Sequence, residues 1–149
     1  MIVYFGADHG GYRLKEILKV FVKDQGYEVF DIGSSRYEDG DDYPDFAAPV
    51  AKKVNVDPDR SRGILLCRSG AGVDIVANKF KNVRSVLAIS PDQVYAARHD
   101  DDANVLSLAA DYTSDDDARK IATVFLETKF ADEEKYRRRL NKISDVENA

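Results

Sequence analysis

The sequence predicts an α/β protein, with a five-stranded parallel sheet covered by helices on both faces. Two observations carry this. Short apolar and β-branched runs alternate with amphipathic segments along the chain, the pattern of successive βαβ units. No internal repeat, low-complexity tract or linker interrupts the 149 residues, so they read as one domain, 1–149.

Ile2–Phe5 is β-branched and aromatic, the first strand, and Gly6–Gly11 is a turn. Leu14, Ile17, Leu18, Phe21 and Val22 recur at helical spacing, and Gly26 ends that helix. Tyr27–Ile32 is the second strand, followed by a polar loop to Asp42 and Tyr43-Pro44. Phe46, Ala47, Val50, Ala51 and Val54 form a short second helix, and Pro58 blocks its continuation. The third strand ends at Cys67, and Val73–Phe80 is the third helix. Val83–Ile89 is strand four, Pro91 opens a helix through Arg98, and Asn104–Leu108 is strand five. Helices over about Asp115–Thr128 and Glu133–Val146 close the chain. The last has no strand after it, and its stripe of Tyr136, Leu140 and Ile143 is a candidate for docking on a partner subunit.

Composition narrows the function. Hydrophobic residues make up 44% and charged residues 33%, as in ordinary soluble domains. A net charge of −5 argues against a dedicated nucleic-acid binder, but not against a small anionic substrate met by a local cluster of donors. The single cysteine fits a reducing compartment. The N-terminus lacks a basic leader, and no apolar run approaches the roughly 20 residues of a membrane span. The expectation is a cytoplasmic protein with neither membrane nor nucleic-acid partner.

The most informative stretch is Gly63–Val73. An apolar run, Ile64-Leu65-Leu66, stops at Cys67, and the small-residue turn Ser69-Gly70-Ala71-Gly72 leads into a helix. Strand, tight glycine loop and helix start together suit an anion, because glycines expose backbone N–H groups and the helix dipole adds positive potential. A cysteine beside such a loop is expected to lose its proton more readily than a free thiol. Ligands of open parallel sheets bind beyond the carboxyl ends of the strands. Those ends carry Asp8 and His9, the Cys67–Gly72 loop and Ser90, with Asp42 and Tyr43 offered after strand two and His99 and Asp100 before strand five.

Each residue also has a plain structural reading. Cys67 could be a small buried hydrophobe, His9 a turn residue, His99 an exposed helix end, and Asp100–Asp102 a solvated acidic run. The Gly6–Gly11 turn lacks dinucleotide spacing, and no phosphate-binding P-loop is present. The three cysteine and histidine residues have no metal-ligand spacing, and no nucleophile elbow supports a Cys-His-Asp hydrolase.

Taken in order, Gly6-Ala-Asp-His-Gly-Gly11, Leu14-Lys15, Asp42-Tyr-Pro44, the Gly63–Gly72 stretch, Ala77-Asn-Lys79, Val83-Arg84 and Asp102-Ala-Asn-Val-Leu106 resemble the ribose-5-phosphate isomerase B and galactose-6-phosphate isomerase family almost end to end. The resemblance implies a Rossmann-like, three-layer α/β/α sandwich, a homodimer or homotetramer with active sites at the subunit interface, and a cofactor-free, metal-free aldose–ketose isomerase acting on a phosphorylated sugar through a cis-enediolate. It makes Cys67 the base and Ser69 the hydroxyl-proton relay, in place of the family's usual threonine. It also implies an anion hole from the amides of about Arg68 to Gly72, including Gly70 and Ala71, with Asp8 and Tyr43 on sugar hydroxyls and His9 on phosphate.

The chain departs from that pattern at four places. The family's ring-opening histidine falls on Asp100, with His99 displaced by one position, a rotation of about 100° on a helix. A family phosphate arginine falls on Asp111, and the arginine pair of the last helix becomes Lys135 and Arg139. Arg68 replaces a common glycine, where it could restore the cation lost at Asp111 or favour the Cys67 thiolate. The departures keep two alternatives open: another sugar phosphate such as a hexose 6-phosphate, or a sugar-phosphate-binding partner subunit with little catalysis. Arg68→Ala is expected to impair isomerase kinetics, and unchanged kcat and KM in the purified variant would remove both roles of Arg68.

Overall fold

The computed structural model describes residues 1–149. Its elements run β1 (Ile2–Ala7), α1 (Tyr12–Asp24), β2 (Glu28–Asp31), α2 (Pro44–Val56), β3 (Ser61–Cys67), α3 (Ala71–Ala77), β4 (Ser85–Leu87), α4 (Pro91–Asp101), β5 (Val105–Ala109), α5 (Asp115–Glu127) and α6 (Glu134–Glu147). All five strands are parallel, in the order β2-β1-β3-β5-β4. The three-layer α/β/α fold is thus the one expected.

Side-chain alternation along the strands splits the core in two. Val3, Phe5, Ile64, Leu66, Leu106 and Leu108 meet Leu14, Leu18 and Val22 of α1, Val94 of α4 and Ile121, Ala122 and Phe125 of α5. On the other face Leu65, Cys67 and Val105 meet Ala47, Val50, Ala51 and Val54 of α2 and Val73 and Ala77 of α3. The central strands are apolar in every direction because both faces are covered. Ser107 is buried on β5, where its hydroxyl bonds that of Ser85 at 3.0 Å.

Element boundaries differ from expectation where long-range pairing decides them. β3 starts at Ser61 because Ile2 pairs with Ser61 and recruits the polar Ser61-Arg62-Gly63 into the ladder. β4 shrinks to three residues: it is an edge strand whose only neighbour is β5. α2 runs through Pro49, which lies one and a half turns in and forgoes a single intrahelical donor.

One buried charge anchors the loop that follows β2. Lys15 on α1 is fully buried, and its Nζ reaches Asp31 at 2.6 Å and the Ser34 carbonyl at 2.9 Å. Lys19 and the Gly33 amide also bond Asp31. Partial burial would raise the Asp31 carboxyl, but its bonds from Lys15 and Lys19 outweigh this and hold it below its ordinary value. The folded state therefore gains from Asp31 at pH values above the ordinary carboxylate range, and loses that gain as pH falls through the lowered pKa. Lys15→Met is expected to destabilise by about 1–3 kcal/mol at pH 7, because Asp31 keeps Lys19, with a smaller difference near about pH 3; paired denaturation curves check both.

Candidate active site

The chain leaves β1 through α1 on one face and leaves β3 through α3 on the other, and β1 and β3 are neighbours. This is a topological switch point, where two connections diverge and leave a crevice at the carboxyl ends. A cleft of about 170 Å³ occupies it, lined by Asp8, His9, Tyr43, Cys67, Arg68, Ser69 and Gly72. Seven of the expected site residues thus meet at one place.

Local geometry explains why these residues converge. The turn after β1 presses so closely on β3 that a Cβ on Gly11 would stand 2.5 Å from the Leu66 carbonyl oxygen. Gly70, at φ +72°, turns the chain from β3 into α3, and a Cβ there would stand 2.4 Å from a Leu87 methyl. Its amide donates to Cys67 Sγ at 3.1 Å. Cys67 is buried in the core of α2 and α3 yet is also part of the cleft wall, at the carboxyl end of β3. The Ser69, Gly72 and Val73 amides make no hydrogen bond within the chain, as expected at a helix start. The Ser69 hydroxyl accepts from the Ala71 amide at 3.3 Å. Tyr43, at the start of α2, lays its ring over Gly72, where a Cβ would come within 2.7 Å of it.

Charges in the cleft are mixed. Asp8 is buried and accepts the Gly11 amide at 3.1 Å; burial chiefly raises its pKa. His9 is tied to Asp41 by its backbone amide at 2.7 Å and by Nδ1 at 2.8 Å, and mainly that side-chain bond raises its pKa. Arg68 is exposed, lies against Gly10 and has no ion-pair partner within the chain. Ligand atoms of Asp8, His9 and Asp41 lie within 4.8 Å of one another, but Asp41 and His9 spend theirs on each other, a hydrogen-bonded pair and not an open cation cage. Asp41 was not singled out from sequence; Asp42 was, and its carbonyl instead accepts the Asp45 amide in the turn before α2. The acidic loop Asp39–Asp42 has no periodicity that would mark which carboxylate turns inward.

The remaining six expected residues do not line this cleft. Gly70 and Ala71 belong to the same loop but spend their amides on Cys67 Sγ and Ser69 Oγ, so those two amides are not free for an anion. His99, Asp100, Lys135 and Arg139 lie elsewhere. His99 is only partly exposed: its ring stacks on Tyr95 at 5.3 Å, meets Tyr136 edge-on at 5.8 Å, and bonds Asp100 through Nδ1 at 2.7 Å. It is therefore a packed residue of the α4–α6 contact, not the exposed helix end its polar neighbours suggested. The His99 bond chiefly lowers the Asp100 pKa. Lys135 and Arg139 flank the buried Tyr136, at 4.6 and 5.8 Å from its ring centroid. Thus His99, Asp100, Lys135 and Arg139 form a second cluster around Tyr136, built by α4 and α6 of the same chain.

Comparison with known proteins agrees with this geometry. Residues 3–143 match the model of the ribose/galactose isomerase family. The chain is 38% identical to a probable ribose-5-phosphate isomerase B of Mycoplasma genitalium, over 95% of this chain and 92% of that protein. It is 35% identical to the ribose-5-phosphate isomerase B of Mycobacterium tuberculosis, over 99% of this chain and 90% of that one. The crystal structure of the Mycoplasma genitalium enzyme with bound ribulose 5-phosphate superposes with a TM-score of 0.95 at 37% identity, covering 99% of this chain and 96% of that one. No helix of the chain is long and apolar enough to cross a membrane. The chain belongs to the ribose/galactose isomerase family of sugar-phosphate isomerases.

Proposed function

We infer that the protein interconverts ribose 5-phosphate and ribulose 5-phosphate without a cofactor. The observation that carries this is Cys67 at the switch-point crevice, at the start of a loop whose Ser69, Gly72 and Val73 amides make no bond within the chain, in a chain so similar to an isomerase seen with ribulose 5-phosphate. The open-chain aldose lies with C1 and C2 near the sulfur. The Cys67 thiolate takes the C2 proton and returns it to C1. The C1 oxygen gains a proton as the C2 hydroxyl gives one up, with the Ser69 hydroxyl as relay, which completes the ketose. The enediolate charge falls on the Ser69, Gly72 and Val73 amides, preorganised donors that need no reorientation during the step. Asp8 and Tyr43 hold sugar hydroxyls, and His9 and Arg68 face the phosphate. The single reduced Cys67 suits a cytoplasmic place in pentose phosphate metabolism.

A second copy of the chain completes this site. The cleft, at about 170 Å³, is below the usual size of a small-molecule pocket. The His99–Asp100 pair, Lys135 and Arg139 lie outside it, and α6 leaves Ile143 and Val146 exposed beside them. Delivery of that cluster by the partner subunit supplies an acid for ring opening, from His99 Nε2, and two cations for phosphate. Asp111, where a cation would otherwise help, is one observation that favours a different phosphorylated sugar, such as a hexose 6-phosphate.

Cys67→Ala is expected to lower kcat on ribose 5-phosphate by at least about 10³-fold with the fold intact. Turnover of a hexose 6-phosphate alone would move the substrate to the second reading, and binding without turnover of either would make the chain a non-catalytic partner. Cys67→Ala and His99→Asn chains, each nearly inactive alone, are expected to regain about a quarter of wild-type activity when refolded as an equal mixture, since half the dimers then carry one intact site. No recovery in isolated mixed dimers would place His99 outside the partner's site.

A further inference from the structure

The loop between β2 and α2 sends one carboxylate 32 residues back along the chain, to the side of His9. A single oxygen, Asp41 Oδ1, takes both the His9 backbone amide at 2.7 Å and the ring Nδ1 at 2.8 Å. The amide can only donate, so its bond fixes that oxygen as an acceptor facing His9. The same oxygen then favours a proton on Nδ1. Only 12% of the Asp41 side chain and 20% of the His9 side chain are exposed, so the pair is partly withdrawn from water.

The surroundings have the same sense. Asp8 approaches His9 from the β1–α1 turn, and Asp39 and Asp41 from the β2–α2 loop. Tyr37 meets the ring edge-on at 6.3 Å, and Tyr43 shares the cleft from α2. The one cation facing the same cleft is Arg68, from the β3–α3 loop. Three carboxylates against one guanidinium favour the imidazolium.

We propose that Asp41 is the positioning residue of His9: it keeps a proton on Nδ1, leaves Nε2 as the free ring nitrogen, and holds the ring cationic in the cleft to meet the phosphate dianion of the substrate. The bond to Asp41 is also the largest cause of the raised His9 pKa, and partial burial opposes it. The ring thus keeps its charge to higher pH than an ordinary histidine does. The identity of the anion rests on the isomerase reading; the pairing itself does not.

Two variants separate charge from geometry. Asp41→Asn keeps an acceptor oxygen but removes the charge, and Asp41→Ala removes both. A ¹⁵N-detected titration of His9 is expected to show a lower pKa in both variants, with the Nδ1–H tautomer retained at high pH in Asp41→Asn and lost in Asp41→Ala. In kinetics with ribose 5-phosphate, the ratio of KM in Asp41→Asn to wild type is expected to be about 10 at pH 8 and about 1 at pH 5.5, where either ring is protonated, with kcat within about twofold. Binding of inorganic phosphate, followed by the His9 resonances, should weaken with the same pH dependence. An unchanged His9 pKa in Asp41→Asn, or a KM ratio that does not vary with pH, would overturn the proposal. Should ribose 5-phosphate not be turned over at all, the isomerase reading falls, while the titration and the phosphate binding still decide the role of Asp41.

Discussion

The structure depends on how closely the first turn of the chain can approach the third strand. β1 and β3 pair in parallel from Ile2 with Ser61 to Ala7 with Leu66, and each then leaves toward the opposite face of the sheet. Gly11 sits against the Leu66 carbonyl with no room for a side chain, and Gly10 lies against the stem of Arg68. Neither connection can fill the gap it opens, so the carboxyl end of the central strand stays accessible. Cys67 occupies that end, packed in the core of α2 and α3 and forming part of the crevice wall. A sulfur there is held by packing on one side and by the Gly70 amide on the other. Such restraint suits the role of base proposed for Cys67, which must return a proton to the neighbouring carbon.

Electrostatics at this end of the sheet are more acidic than a phosphate-binding enzyme needs. Asp8, Asp39 and Asp41 surround His9, and a neighbouring cleft of about 630 Å³ carries Asp111, Asp115 and Asp116. In that cleft Arg13 is engaged by Asp115 and Arg119 by Asp116, so their charge is largely cancelled. Arg68 is the cation left uncommitted at the switch-point cleft, and the acidic environment favours a second one in His9, whose pKa it raises. Carboxylates that repel a dianion directly can thus assist its capture through an intervening imidazole.

The second cluster shows how α6 contributes beyond packing. Tyr136 is the only residue of α6 that is buried, and it gathers His99, Phe130, Lys135 and Arg139 around one ring. The tie to Asp100 orients His99 while Tyr95 and Tyr136 confine its plane. His99 and Asp100, neighbours on α4, are thus joined as one oriented pair beside the Tyr136 ring.

What the sequence by itself determined is the alternation of strands and helices, the two glycine turns and the cysteine at the end of the third strand. These are local: β-branched runs, helical spacing and small residues act within ten positions of themselves, and they placed Asp8, His9, Tyr43, Cys67, Arg68, Ser69 and Gly72 at carboxyl ends before any strand order was known. Tertiary structure decided the rest. Strand order made β1 and β3 neighbours, and only that adjacency turns two separate loops into one cleft. Pairing with Ile2 extended β3 back to polar Ser61, and the single neighbour of β4 shortened it. Asp41 became the partner of His9, in preference to Asp42, because a loop anchored by Lys15 and Asp31 brings one carboxylate of four acidic neighbours back across 32 residues. No periodicity encodes such a contact; it exists only when the sheet and its loops are assembled.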